Sequence, residues 1–232
     1  MTSKLWNDHH APDKVEEALD KTLSDLGLDY LDLYHMHWPV ASTDKGNEIY
    51  FVETWKAMVQ LVQAGKTRRI GISNFSPAQL DTLLNSTTHI PYAHQMELHP
   101  YLQQSDWVAY HKARGIHVTA YSPLGGTNPT YHTKSDHLPP PLLQNKAIAK
   151  IAHKHNASTA QIALAWGMSR DVSVIPKSAH AERIDENLAS KHVELDAEDQ
   201  KVIAKLGHRY THRYNNPSKN WKVKLYEGLD GA

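Results

Sequence analysis

Cysteine is absent from the 232 residues. That absence removes disulfides, thiolate catalysis and Cys-ligated zinc together, and it fits a reducing compartment. An excess of charge is also missing: 25 Lys and Arg stand against 25 Asp and Glu, so no net field draws nucleic acid or an anionic membrane surface. No apolar run approaches the roughly 20 residues that cross a bilayer, and the opening Met-Thr-Ser-Lys-Leu-Trp lacks the apolar region of a signal peptide. The expectation is a soluble, cytoplasmic protein without nucleic-acid or membrane partners. The Asn-x-Ser/Thr triplets at Asn74, Asn85 and Asn156 carry little weight in that setting. Internal repeats are lacking, and no G-x-G-x-x-G follows any strand-like run, which weakens a doubly wound dinucleotide-binding sheet.

What the chain does have is a run from Leu31 to Pro39, L-D-L-Y-H-M-H-W-P, whose apolar positions read as a strand and whose Trp38-Pro39 stop places His37 at the carboxyl end. Around it, strand and helix alternate. Residues 2 to 6 read as the end of a strand. Asp13 to Leu26 reads as an amphipathic helix closed by Gly27. A helix from Phe51 to Ala64 with Gly65 as its stop precedes a strand at Arg69 to Asn74. Ser76, Pro77 and Gln79 then form a capping box with Pro at the first helical position. Strands at His94 to Leu98 and Ile116 to Ser122 flank a helix at Ser105 to Arg114. Ile148 to His155 and Ser158 to Met168 read as a helical pair, the second opened by a Ser158/Gln161 capping box. Val172 to Lys177 is the last strand, followed by helices at Ala181 to Leu188 and Glu198 to Leu206, with Gly207 as a stop. The tail, 208–232, reads as irregular, and the whole of 1–232 as one domain.

Such alternation implies parallel strands with right-handed crossovers, so the fold class is α/β and a β/α barrel is favoured. Six strands are countable where a TIM-type barrel has eight. Their carboxyl ends carry, in order, Lys4, His37, Ser73 with Asn74, Gln95 with Glu97, Tyr121 with Ser122, and Lys177 with Ser178. A polar group at every strand end is more than a purely structural barrel requires, and it points to a site on that face.

The phrases T-S-K-L-W-N, L-D-Y-L-D-L-Y-H-M-H-W-P, I-G-I-S-N-F, H-Q-M-E-L-H-P-Y, A-Y-S-P-L-G and I-P-K-S-A-H-A-E-R-I-D-E-N, in this order from residue 2 to residue 187, resemble the aldo-keto reductase family. The resemblance implies a (β/α)8 TIM-barrel-type fold, of which this chain has about six strands with the first two missing. It also implies NADP as an extended cofactor without a Rossmann motif, and a small-molecule carbonyl substrate. Carried over by position, Lys4 resembles the Lys that lowers the pKa of a catalytic Tyr, and His37, next to Trp38, the His that orients the substrate carbonyl. Ser73, Asn74 and Gln95 resemble the residues that bind the nicotinamide carboxamide, and Tyr121 the aromatic stacked on its ring. Ser122 and Leu124 fall where the family meets the pyrophosphate. Lys177, Ser178 and Arg183 resemble the grip on the adenosine 2′-phosphate, and Glu186 and Asn187 the adenine contacts.

In that family the proton-donating Tyr and its Asp partner lie upstream of S-K-L-W, where this chain begins. Tyr30, Tyr34 and Tyr121 do not occupy the missing position. The expectations are therefore a truncated gene product with impaired turnover, and self-association through exposed strand edges. Two other readings stand beside the reductase. One is a non-catalytic NADP-binding relative. The other is a metal-dependent barrel hydrolase built on His35-x-His37, with His94 and His99 as further ligands. Selectivity would lie in the loops Ala41 to Glu48 and Thr127 to Pro141 and in the tail after His208.

Overall fold

A computed structural model describes residues 1–41, 50–127 and 138–231. The loops expected to set selectivity at Ala41 to Glu48 and Thr127 to Pro141 lie largely outside the described residues. Six strands, β1 (Thr2–Leu5), β2 (Leu31–Met36), β3 (Thr67–Ser73), β4 (Ala93–Glu97), β5 (His117–Tyr121) and β6 (Ser173–Val174), are hydrogen-bonded in chain order. The β1/β2, β2/β3, β3/β4 and β5/β6 pairs are parallel. Helices α1 (Val15–Leu26), α2 (Phe51–Gln63), α3 (Pro77–Ser86), α4 (Ser105–Lys112), α5 (Lys146–Lys154), α6 (Thr159–Met168), α7 (Ala181–Ala189), α8 (Ala197–Tyr210) and α9 (Ser218–Trp221) fall between and after them.

The residues cluster into two compact units. One comprises Met1–Gln95, His111–His117 and Tyr226–Gly228, the other Met96–Tyr110, Val118–Leu225 and Leu229–Ala232. In the first, α1 turns Val15, Leu19 and Leu23 inward and ends at Gly27, whose left-handed φ of 63° directs its N–H back to Leu23 and Ser24 carbonyls. Trp55, Met58, Tyr34, Met36, Ile70 and Ile72 complete a fully buried core there. Gly71 is required by contact rather than by φ: a Cβ on it would lie 2.6 Å from Ala93 O and 2.6 Å from His35 Nδ1. The I-G-I-S-N phrase therefore lets β3 pass tightly beside the buried His35 ring. In the second unit, α6 buries every residue from Ile162 to Gly167 and packs with α5, whose Ile148 and Ile151 face inward.

Both expected capping boxes are formed, at Ser76/Gln79 on α3 and Ser158/Gln161 on α6. A third, Asp196/Asp199, starts α8. Three expectations need correction. The last strand is not Val172 to Lys177 but two residues long. Ile175 N–H still reaches Ala120 O at 3.2 Å, but Pro176 has no N–H, so the ladder ends and Lys177 and Ser178 stand in a loop. Gly207 does not stop its helix, because α8 continues to Tyr210. Its missing side chain instead admits Gln103, whose Nε2 donates to Ile203 O at 2.7 Å. The tail expected to be irregular contains the last turn of α8 and the short α9.

Candidate active site

The first unit holds Lys4, His37, Trp38, Ser73, Asn74 and Gln95. Lys4 pairs in register with His35, two residues before His37. Burial lowers the Lys4 pKa. Burial also brings His37 down to about 4, aided by the Lys4 charge and by His10. His37 is thus a neutral imidazole at pH 7, able to donate one ring N–H to a carbonyl oxygen. Its backbone N–H donates to Leu5 O at 3.0 Å, and the edge of Trp6 meets its ring at 4.8 Å between centroids. Trp38 is 3 % exposed and packs against Tyr226.

Asn74 ties this set together. It sits at φ 63° just past β3, a conformation Asn tolerates better than most residues. Its Nδ2 donates to His37 O at 3.0 Å and to Ser73 Oγ at 3.1 Å, and its backbone N–H to Gln95 O at 3.2 Å. Tyr226 Oη donates to Asn74 Oδ1 at 3.3 Å. Ser73, Asn74 and Gln95 are 1 %, 2 % and 6 % exposed, so this amide-rich cluster is held rigidly by its own bonds. Trp6 and Tyr226 are the participants that sequence reasoning missed. Trp6 is two residues from Lys4 in the chain, but nothing in the order of the tail marks Tyr226.

His35, His94 and His111 of this unit are committed to structure. His35 Nδ1 donates to Ile72 O at 3.0 Å, and burial lowers its pKa to about 4. Phe75 N–H donates to His94 Nε2 at 3.1 Å, so the His94 proton is on Nδ1, from which it is donated to His111 Nε2 at 2.6 Å. In the second unit His99 Nε2 faces Glu97 at 3.1 Å. No group of three or more His, Asp or Glu among the described residues could hold a metal ion. Of the His35-x-His37 pair, the His35 ring is held by its bond to Ile72 O. Tyr34 is fully buried, with burial pushing its phenol above the ordinary value.

The second unit holds Tyr121, Ser122, Leu124, Lys177, Ser178, Arg183, Glu186 and Asn187. A cavity of about 520 Å³ is lined by Ser122, Leu124, Lys177, Ser178, His180 and Arg183. A second, of about 370 Å³, shares Leu124, Lys177, Ser178 and Arg183 with it and adds Glu186 and Asn187, so the two form one elongated depression. Tyr121 lies immediately before this lining, with Ser122 at φ 49° turning the chain. The N-terminus of α7 opens here, and His180 at its N-cap makes no side-chain capping bond. An uncapped helix start beside one Lys and one Arg is suited to a phosphate. No described helix is long and apolar enough to cross a membrane.

The profile of the aldo/keto reductase family matches residues 1–208. An uncharacterized oxidoreductase of Schizosaccharomyces pombe is 46 % identical over 224 residues, which span 90 % of this chain and 68 % of that protein. The NAD(P)H-dependent D-xylose reductase of Scheffersomyces stipitis is 41 % identical over 246 residues, 97 % of this chain and 77 % of its own length. A Bombyx mori aldo-keto reductase solved in complex with NADP superposes with a TM-score of 0.88 at 35 % identity, covering 97 % of this chain and 72 % of that one. With its parallel α/β strands and TIM-barrel-type relatives, the chain belongs to the aldo/keto reductase family.

Proposed function

We propose that this protein is an NADPH-dependent carbonyl reductase site, turning an aldehyde or ketone into an alcohol, and that turnover by the 232-residue chain is slow. The observation that carries the cofactor reading is the elongated depression in which Lys177, Ser178 and Arg183 surround the uncapped start of α7. Those residues fit a 2′-phosphate, Glu186 and Asn187 an adenine, and Ser122 and Leu124 a pyrophosphate. The relatives named as NAD(P)H-dependent or bound to NADP agree with this. NADPH, when bound, supplies the hydride. Ser73, Asn74 and Gln95 present the donors and acceptors that hold a carboxamide, Tyr121 offers a ring to stack against, and His37, walled by Trp38, donates its N–H to the carbonyl oxygen. Lys4, a cation in a partly buried place, is suited to stabilise a phenolate brought beside it and so to tune a proton donor.

A Tyr and Asp matching the family's proton donor and its partner are not among these residues. That favours, as a second reading, an NADP-binding relative with little catalysis. Protein fluorescence titrated with NADPH, beside consumption of NADPH with a simple aldehyde, tests both readings. Micromolar binding with slow turnover is expected. Absence of binding would overturn the cofactor assignment, and ordinary reductase turnover would overturn the impairment. Cytoplasmic residence and self-association through strand edges belong to the same proposal. Among the described residues β1 is bonded to β2 alone, and sedimentation velocity should show species larger than one chain.

A further inference from the structure

Glu97 ends β4 and is fully buried, yet the assigned site does not use it. A buried carboxylate is costly unless its lone pairs are filled, and this one is filled by the chain's tail. The backbone N–H of Tyr214 donates to Oε1 at 2.7 Å and that of Asn215 to Oε2 at 2.9 Å, while His99 Nε2 lies 3.1 Å from Oε1. Burial works against the Glu97 charge, but the bond from His99 and its neighbours prevail, and its pKa stays below the ordinary carboxylate value. The hold is reinforced from below. Gln104 Nε2 donates to Glu97 O at 2.7 Å, and Arg213 Nη2 donates to Gln104 Oε1 at 3.0 Å and to Asp230 O at 2.9 Å.

The segment so held touches the cofactor side of the same unit at two places. Asn215 Nδ2 donates to Tyr121 Oη at 3.3 Å. The Tyr214 ring lies so close over Gly126 that a Cβ there would meet its Cε1 at 2.3 Å. We propose that Glu97 is a positioning residue: by clamping Tyr214 and Asn215 it fixes the Tyr121 ring and the turn that follows it in the geometry that receives the nicotinamide half of the cofactor. The clamp rests on the cofactor assignment above, but its mechanical part has a readout of its own. Glu97 touches neither cofactor nor substrate in this scheme and acts through Asn215 and Tyr214.

The test compares Glu97→Gln, Asn215→Ala and Gly126→Ala in the full chain by site-resolved amide hydrogen exchange and by NADPH titration. Glu97→Gln keeps the shape but replaces one acceptor with an NH2 group. It should speed exchange at the Tyr214 and Asn215 amides by about tenfold or more and weaken NADPH several-fold. Asn215→Ala should weaken NADPH while both amides stay protected. Unchanged exchange in Glu97→Gln overturns the clamp. Faster exchange with NADPH affinity equal to that of the unsubstituted chain overturns its role in positioning. If Glu97→Gln does not fold, wild-type affinity in both Asn215→Ala and Gly126→Ala overturns the proposal, and weakened affinity in both supports it. If the unsubstituted chain binds no NADPH, the cofactor reading and the positioning role fail together, while exchange in Glu97→Gln still decides whether Glu97 holds the tail.

Discussion

At the scale of single residues, the first unit is set by histidines that must stay neutral. His10 and His35 are each 1 % exposed, and burial lowers both pKa values from the model-peptide value to about 4. In the unfolded chain they take up protons below about pH 6.5, whereas the folded chain resists until about pH 4. The unfolded state therefore binds more protons in that window. Stability is full above pH 6.5 and falls as the pH drops toward 4, by up to about 1.4 kcal/mol per pH unit for each ring. Urea unfolding at pH 7 and pH 5 should show a lower midpoint at pH 5; an unchanged midpoint would contradict this account. Gly71 belongs to the same scale. Its Cβ position is already claimed by Ala93 O and the His35 ring, so Gly71→Ala should cost about 1–3 kcal/mol, or more because backbone cannot yield, and chemical denaturation measures it.

At the scale of elements, the helices were legible because their starts carry chemistry in the sequence itself. Ser76-x-x-Gln79 and Ser158-x-x-Gln161 each satisfy an orphan N–H in both directions, and each box is present where the motif placed it. Ser158→Ala should destabilise the protein by about 1 kcal/mol while Ser158→Thr retains most of it, as read from thermal melts. The Asp196/Asp199 box escaped notice because it lacks the usual Glu or Gln at its fourth position. There Asp196 caps Glu198 and Asp199 N–H groups while Lys154 reaches across from α5 to both carboxylates. The strands were legible to within a residue or two except at β6, where the apolar run outweighed the signal of Pro176, whose missing N–H ends the ladder. Gly207 misled for the opposite reason: a glycine in a helix reads as a stop until a neighbour such as Gln103 is known to occupy its empty side.

At the scale of the molecule, the depression lined by Lys177, Ser178 and Arg183 lies within one compact unit. The cationic part makes a specific demand on cofactor choice. Arg183→Ala should weaken NADPH about tenfold to a hundredfold and NADH little, because a charge-assisted bond to a 2′-phosphate is lost only with the former. Titrations with both nucleotides at one ionic strength check this, and equal losses would remove Arg183 from the phosphate site.

The sequence by itself determined the alternation of strands and helices and the parallel α/β class. These follow from periods of two and 3.6 and from capping residues, which are local properties of the chain. It did not determine which parts of the aperiodic tail return to the strands. Tyr226 reaches Asn74 across 152 positions, and Tyr214 and Asn215 reach Glu97 across 117 and 118. Such bonds depend on where the fold leaves a buried acceptor unfilled. The carboxylate at the end of β4 meets one partner two residues on, His99, but its two backbone donors come from the tail, and only the packed structure decided that the tail would supply them.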